Sequence, residues 1–123
     1  MKNDEFVDGI KIAVRDSAIK SVKKILESPP GRKPRERLVN TSQWYKTQTD
    51  KDRSIISNII EESIDMSLFG FFCVLDHVRT IEGVGEKTTF ELYAVKNGER
   101  VLINDPNKEE LHNLYNSLVL EQD

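Results

Sequence analysis

The chain has 123 residues, a net charge of −3 and 32% charged residues. This length favours one domain over residues 1–123, and the single cysteine, Cys73, excludes an internal disulfide framework. An acidic N-terminus and the lack of an apolar run long enough to span a bilayer predict a cytoplasmic protein that does not contact a membrane, and the acidic net charge argues against nucleic acid as its partner.

The first predicted element is a long helix over residues 6–26. Its apolar residues recur at helical spacing and are therefore expected on one buried face: Phe6, Val7, Ile10, Val14, Ala18, Val22 and Ile25. The sequence Ser-Pro-Pro-Gly at positions 28–31 ends this helix, because proline lacks the amide hydrogen and disfavours a helical residue before it.

An extended, basic, proline-containing loop over residues 28–41 is predicted next, followed by a short turn that carries Trp44 and Tyr45. Six basic residues lie between positions 23 and 37 against two glutamates. Arginine and aromatic side chains are enriched at binding hot spots, so we predict six partner-binding residues: Arg32, Lys33, Arg35, Arg37, Trp44 and Tyr45. The alternative is a solvated linker anchored by a buried Trp44, which the general burial of tryptophan favours.

A long core helix is predicted from Asp50 to Arg79, with Thr49 as its N-cap. At about 100° per residue, one half of its circumference is apolar: Ile56, Ile59, Ile60, Ile64, Phe71, Leu75 and Val78. The opposite arc holds the four acidic residues between positions 61 and 76, together with two aromatic residues, Phe69 and Phe72. Around residues 68–75 the helix is apolar on every side, which predicts burial on every side, with Gly70 admitting another backbone. The alternative is a helix that breaks near Phe69, followed by a buried strand over residues 71–78.

The C-terminal part predicts a hairpin and a short helix. Residues 89–95 alternate between two faces, and Asn97-Gly98 favours a type I′ turn. Asn104 or Asp105 is expected to cap the last helix, whose apolar stripe is Leu111, Leu114, Tyr115 and Leu118. Two long helices, a C-terminal hairpin packed on them and a short terminal helix give an α+β fold.

Residues 71–79 (FFCVLDHVR) and 90–93 (FELY) resemble a group of short uncharacterised bacterial proteins. The resemblance covers the C-terminal half; it implies a bacterial origin and brings no activity or site residues.

The first functional hypothesis is a non-enzymatic protein that binds another protein, as immunity proteins, inhibitors and small regulators do. A second copy of the chain is one option for the partner. No catalytic motif is present, and His77 and His112 lack a metal-ligand spacing, with His112 expected on an exposed face. Besides the basic loop, an acidic face of the core helix or the acidic C-terminus could meet a basic protein: Glu61, Glu62, Asp65 and Asp76 form that face.

The alternative hypothesis is a Mg²⁺-dependent nucleotide phosphohydrolase. Acids three and four residues apart share a helix face and could supply hard oxygen ligands, and the expected metal ligands are Glu61, Glu62, Asp65 and Asp76. Together with an acidic cluster at positions 4–8, this pattern resembles the all-α nucleotide pyrophosphohydrolases. The first hypothesis requires no cofactor and the second requires Mg²⁺.

Overall fold

Helices make up most of the structure, as the helical spacing of apolar residues in the sequence predicts. The computed structural model describes residues 1–120. A first helix over residues 3–27, interrupted by a π-helical segment, is followed by a short helix, a long helix, a hairpin and a terminal helix: α1 (Asn3–Ile10), the π segment (Lys11–Asp16), α2 (Ser17–Glu27), α3 (Glu36–Lys46), α4 (Asp50–Leu75), β1 (Tyr93–Lys96), β2 (Glu99–Leu102) and α5 (Leu111–Leu120). The predicted α+β class is confirmed.

The π segment changes which face of the first helix is buried. A π turn holds one extra residue, so it rotates the following residues by one position. The structure buries Arg15, Ile19 and Leu26, each one position later than a residue of the predicted stripe, and it leaves Val14 and Val22 exposed. The predicted stripe therefore holds before the π segment and is displaced by one residue after it.

The second half of the predicted extended loop is wrong, because α3 begins there at Glu36. The prolines of this region all precede α3, so they end α2 without interrupting the next helix. Ser42 holds α3 against α2, since its buried hydroxyl donates to the Leu26 carbonyl at 2.6 Å. Trp44 and Tyr45 consequently lie in a helix rather than in a short turn.

The long helix α4 is confirmed, and the alternative break near Phe69 is wrong. The Thr49 hydroxyl accepts from the Asp52 amide at 3.1 Å, as a capping residue should. The helix ends at Leu75, earlier than expected, in a Schellman motif: the Val78 amide donates to the Cys73 carbonyl, and His77 has a φ of 64°.

The buried face of α4 differs from the predicted one. Phe72, which the helical projection placed among charges, is 2% exposed, whereas Phe71, placed on the buried side, is 60% exposed. Asp65 and Asp76 lie on the same side as Phe72, and both accept hydrogen bonds from other parts of the chain. This side of α4 can therefore be buried although it carries acids. The expectation of burial on every side over residues 68–75 is therefore wrong at Phe71.

The absence of a side chain at Gly70 makes room for another side chain rather than for another backbone segment. A β-carbon at this position would collide with the guanidinium of Arg79, which folds back over the helix. Cys73 lies on the same part of α4 and is buried, as expected for a small apolar side chain, and burial raises the pKa of its thiol.

The hairpin is confirmed. Asn97 and Gly98 both have positive φ, as a type I′ turn requires, and Tyr93 pairs with Leu102 in an antiparallel register. Three half-buried residues turn toward the helical core, on the face predicted for them: Phe90, Leu92 and Ala94. Within residues 1–120 the sheet contains only these two strands, so the alternative strand over residues 71–78 is not present.

The core lies where the first helix, the end of α4, the hairpin and α5 meet. Its buried members are Val7, Phe72, Leu75, Ile103, Leu111 and Tyr115. The predicted stripe of α5 is confirmed, but the expected caps are wrong, since α5 begins only at Leu111. Asn104 is instead buried and connects two segments, because its side-chain amide donates to the carbonyls of Leu75 and Phe90. No helix within residues 1–120 has the length and apolar composition needed to cross a bilayer.

Candidate functional site

Five of the six residues predicted to bind a partner are exposed together at the start and along one side of α3. Arg32 and Lys33 lie in the turn before the helix, Arg35 immediately precedes it, and Arg37 is in its first turn. Trp44 lies seven residues after Arg37, which is about two turns along the same helix face. We call these five residues the α3 basic surface.

The structure contradicts the expectation of a buried Trp44, because its side chain is 55% exposed. Ser42 is the buried residue of this part of α3, and Trp44 follows it by two positions, which is about 200° around a helix. The ring therefore turns away from α2. Within residues 1–120, Trp44 takes part in none of the aromatic or cation-π contacts.

The backbone under Trp44 is held by several hydrogen bonds. Its carbonyl accepts from the Thr47 hydroxyl at 2.6 Å and from the Gln48 side-chain amide at 3.3 Å. The Thr47 amide also donates to this carbonyl at 3.0 Å, so the side-chain donors add to a backbone hydrogen bond at the end of α3. The tryptophan therefore projects from a fixed backbone.

Tyr45 differs from the other predicted residues because it is half-buried and joins α3 to α4. The Arg53 guanidinium lies 5.2 Å from the centre of the Tyr45 ring. It also donates to the carbonyls of Tyr45 and Lys46, at 3.3 and 2.7 Å. Tyr45 is therefore not part of the α3 basic surface; its contacts with Arg53 attach α3 to α4.

The four cations of the α3 basic surface have no acidic partner among residues 1–120: Arg32, Lys33, Arg35 and Arg37. Two of them also lie at the end of a helix where positive charge is unfavourable, because the N-terminus of a helix carries a partial positive charge of its own. One acid, Glu36, lies in the first turn. The positive potential at this end of α3 is therefore concentrated rather than neutralised.

The four acids considered as an acidic face or as metal ligands do not form one group. Asp65 and Asp76 share a side of α4 but are eleven residues apart, about 16 Å along the helix axis. Their side chains are only 15% and 4% exposed. The expected outward acidic face is therefore reduced to Glu61 and Glu62. Mg²⁺ binding by these acids stays a prediction, and the structure gives both aspartates other partners.

The Asp65 carboxylate accepts hydrogen bonds from a buried arginine and a buried tyrosine. Arg15 donates to it through Nε at 2.6 Å and Nη2 at 3.2 Å, and the Tyr115 hydroxyl donates at 2.6 Å. The π segment makes this possible, because it turns Arg15 inward to an exposed fraction of 8%. Hydrogen bonding to Asp65 raises the pKa of Arg15 above its ordinary value, against the opposing effect of burial. The sequence signal for this network was absent, since a helix without a π turn faces Arg15 outward.

Asp76 caps α5 from a distance in sequence. Its carboxylate accepts from the amides of Leu111 and His112, at 3.0 and 2.8 Å, and lies 2.6 Å from the His112 ring nitrogen Nδ1. Contrary to expectation His112 is mostly enclosed, with its ring edge-on to Phe69. The ligand atoms of Asp76, Glu110 and His112 lie within 4.8 Å of one another. The occupied carboxylate oxygens identify this cluster as a helix cap.

The buried tyrosine of the Asp65 network predicts a loss of stability in alkaline solution. Burial and the Asp65 carboxylate raise the pKa of Tyr115 above its ordinary value of about 10. Above about pH 10 the unfolded chain therefore loses this proton while the folded protein keeps it, and the free energy of unfolding falls. Below that pH both states hold the proton and the contribution is constant.

We expect urea unfolding at increasing alkaline pH to show a steeper fall for the wild type than for Tyr115→Phe. Tyr93, whose pKa is also raised by its hydrogen bond to Glu91, is present in both proteins and does not affect the comparison. Equal slopes for the two proteins would contradict the assignment.

The chain matches no protein-family model, and no significant match was found among curated proteins or among solved structures.

Proposed function

We propose that this protein acts without catalysis by binding another protein, and that its α3 basic surface docks on an acidic surface of that partner. An inhibitor, an immunity protein or a small regulator works in this way. The observation that carries the proposal is the exposure of Trp44, which is 55% accessible although tryptophan is highly buried on average.

Trp44 and the arginines of this surface supply two complementary contributions to binding. A tryptophan ring offers a large rigid area, and burying such a ring is a common source of binding free energy at interface hot spots. Arginine offers a planar fork of donors that fits carboxylates. The unpaired cations would steer an acidic partner toward the ring and raise the association rate at low salt.

The location of the cations supports function rather than stability. Arg35 and Arg37 stand at the N-terminal end of α3, where their charge opposes the helix dipole and costs about 0.3–1 kcal/mol each. Residues that oppose local stability without a compensating contact are expected at functional sites. The rigid support from Thr47, Gln48 and Arg53 limits the entropy that Trp44 would lose on binding.

The test compares capture by the immobilised wild type with capture by Trp44→Ala and Arg37→Glu, using a lysate of the native host and quantitative mass spectrometry. We expect the wild type to capture an acidic protein that neither Trp44→Ala nor Arg37→Glu captures. With the purified partner, Trp44→Ala should raise the Kd at least about tenfold, which corresponds to about 1.4 kcal/mol. The affinity should also fall as salt is added, since exposed charges are screened.

Two exposed residues elsewhere provide matched controls. Ile81→Ala removes an apolar side chain that is 69% exposed, and Lys96→Glu reverses an exposed charge on the hairpin. Both controls should bind like the wild type. If Trp44→Ala and Arg37→Glu, folded as judged by circular dichroism, retain every partner of the wild type, the proposal is wrong.

A further inference from the structure

A cleft of about 440 Å³ opens between α4 and α5, on a different part of the molecule from the α3 basic surface. Its floor includes the network of Arg15, Asp65 and Tyr115, whose members are fixed by their mutual hydrogen bonds. Ligand pockets usually have volumes of about 300–1,000 Å³ and are largely formed before the ligand binds. The cleft therefore has the size and the rigid base of a small-molecule site.

The charge left at the cleft wall is negative. Arg15 neutralises Asp65, so the remaining carboxylates are those of Glu61 and Glu62. Glu61 faces Lys23 at 3.8 Å, and with both side chains 40% exposed the pair is weak. Glu62 is exposed and forms no ion pair within residues 1–120. A cationic group is thus the charged group that this wall would attract.

The other lining residues define the rest of the ligand. Phe69 and Met66 give an apolar wall, and the Phe69 ring is held edge-on against His112 at a centroid distance of 5.6 Å. The side-chain amides of Asn58 and Asn116 can accept hydrogen bonds from an N–H donor. Apolar walls with a few polar groups are typical of sites for organic molecules.

We propose that this cleft binds a small organic cation, in which an ammonium group is carried on an apolar body. The ammonium faces Glu62 and Glu61, and the apolar body lies against Phe69 and Met66. This site does not depend on the proposed function, since the α3 basic surface would repel the same ligand and lies on another helix.

The test uses three probes of one shape and different charge: phenethylammonium, phenethyl alcohol and phenylacetate. Each is titrated to millimolar concentration into the isotope-labelled full chain while amide NMR spectra are recorded. We expect the ammonium to bind more tightly than the alcohol and the phenylacetate to bind least. The shifted amides should be those that line the cleft, such as Asn58, Glu62 and Asn116.

Glu62→Gln should weaken phenethylammonium binding about threefold, because a partly exposed ion pair is lost, and should leave the alcohol unchanged. Glu99→Gln, an exposed acid on the hairpin, is the control and should change neither affinity. Equal binding of the three probes, shifts outside the cleft or no shifts would overturn the proposal. Displacement of the ammonium by Mg²⁺ alone would also overturn it, since a divalent metal would then be the preferred ligand.

Discussion

Asp65→Ala is expected to lower the free energy of unfolding by up to about 3–5 kcal/mol, because it leaves the buried Arg15 with only the partly exposed Asp16, 3.1 Å away, as a counter-charge. The Tyr115 hydroxyl also loses its acceptor. A buried charge that loses its main partner costs far more than a surface ion pair contributes, since Asp16 contacts only Nη1 of Arg15 and water cannot replace the missing carboxylate. Urea unfolding at neutral pH measures this loss.

Replacing all three members of the network at once should cost less than the single substitution. In Arg15→Met/Asp65→Leu/Tyr115→Phe no charge or hydroxyl remains unpaired, and buried ion pairs can often be exchanged for apolar residues at little cost. Glu62→Ala, which removes an exposed acid from the same helix, serves as the control and should change stability by less than about 0.5 kcal/mol. A loss at Asp65 no larger than at Glu62 would show that the network of Arg15, Asp65 and Tyr115 is not buried.

Phe72→Ala and Phe71→Ala should differ strongly although the two residues are neighbours. Phe72 is 2% exposed and its ring centre lies 5.3 Å from that of Tyr115, so its truncation should cost about 3–5 kcal/mol. Phe71 is 60% exposed, and its truncation should cost less than about 0.5 kcal/mol. The difference between the two unfolding free energies tests which face of α4 is buried.

Both variants keep the helix-forming character of the position, since alanine is a good helix former, so each controls for the other. Similar losses at the two positions would mean that this part of α4 is enclosed on every side. A larger loss at Phe71 would restore the face that the apolar projection indicates.

Local signals in the sequence were sufficient for several elements. Asn97-Gly98 specified the hairpin, because few residues adopt positive φ at two successive positions. Thr49 marked the start of α4, because its hydroxyl caps the helix to which it belongs. The α+β class followed from these signals together with the helical spacing of apolar residues.

The remaining errors come from interactions between residues distant in sequence. The π segment shifts the face of the first helix by one residue, and its benefit is a contact between Arg15 and Asp65, 50 positions later. The start of α5 depends on Asp76, which lies 35 positions before Leu111. Apolar patterning also assigns acids to the surface, so it could not identify a buried face of α4 that contains two of them.

The candidate binding residues were predictable in type but not in arrangement. Composition alone indicated a basic segment with adjacent aromatics, and the prolines suggested a loop throughout. Because α3 was not foreseen, the helical phase that exposes Trp44 and turns Tyr45 toward Arg53 could not be assigned.

Trp44 is the only tryptophan of the chain, so the quenching of its fluorescence tests most directly whether α3 presents an exposed ring among cations. We expect native emission at the wavelength of hydrated tryptophan, no further red shift on unfolding, and stronger quenching by iodide than by caesium, because positive surroundings attract the anion. Arg37→Glu should reduce that difference. Blue-shifted native emission that moves to the red on unfolding, with equal protection from both ions, would contradict the exposed surface on which the proposed function depends.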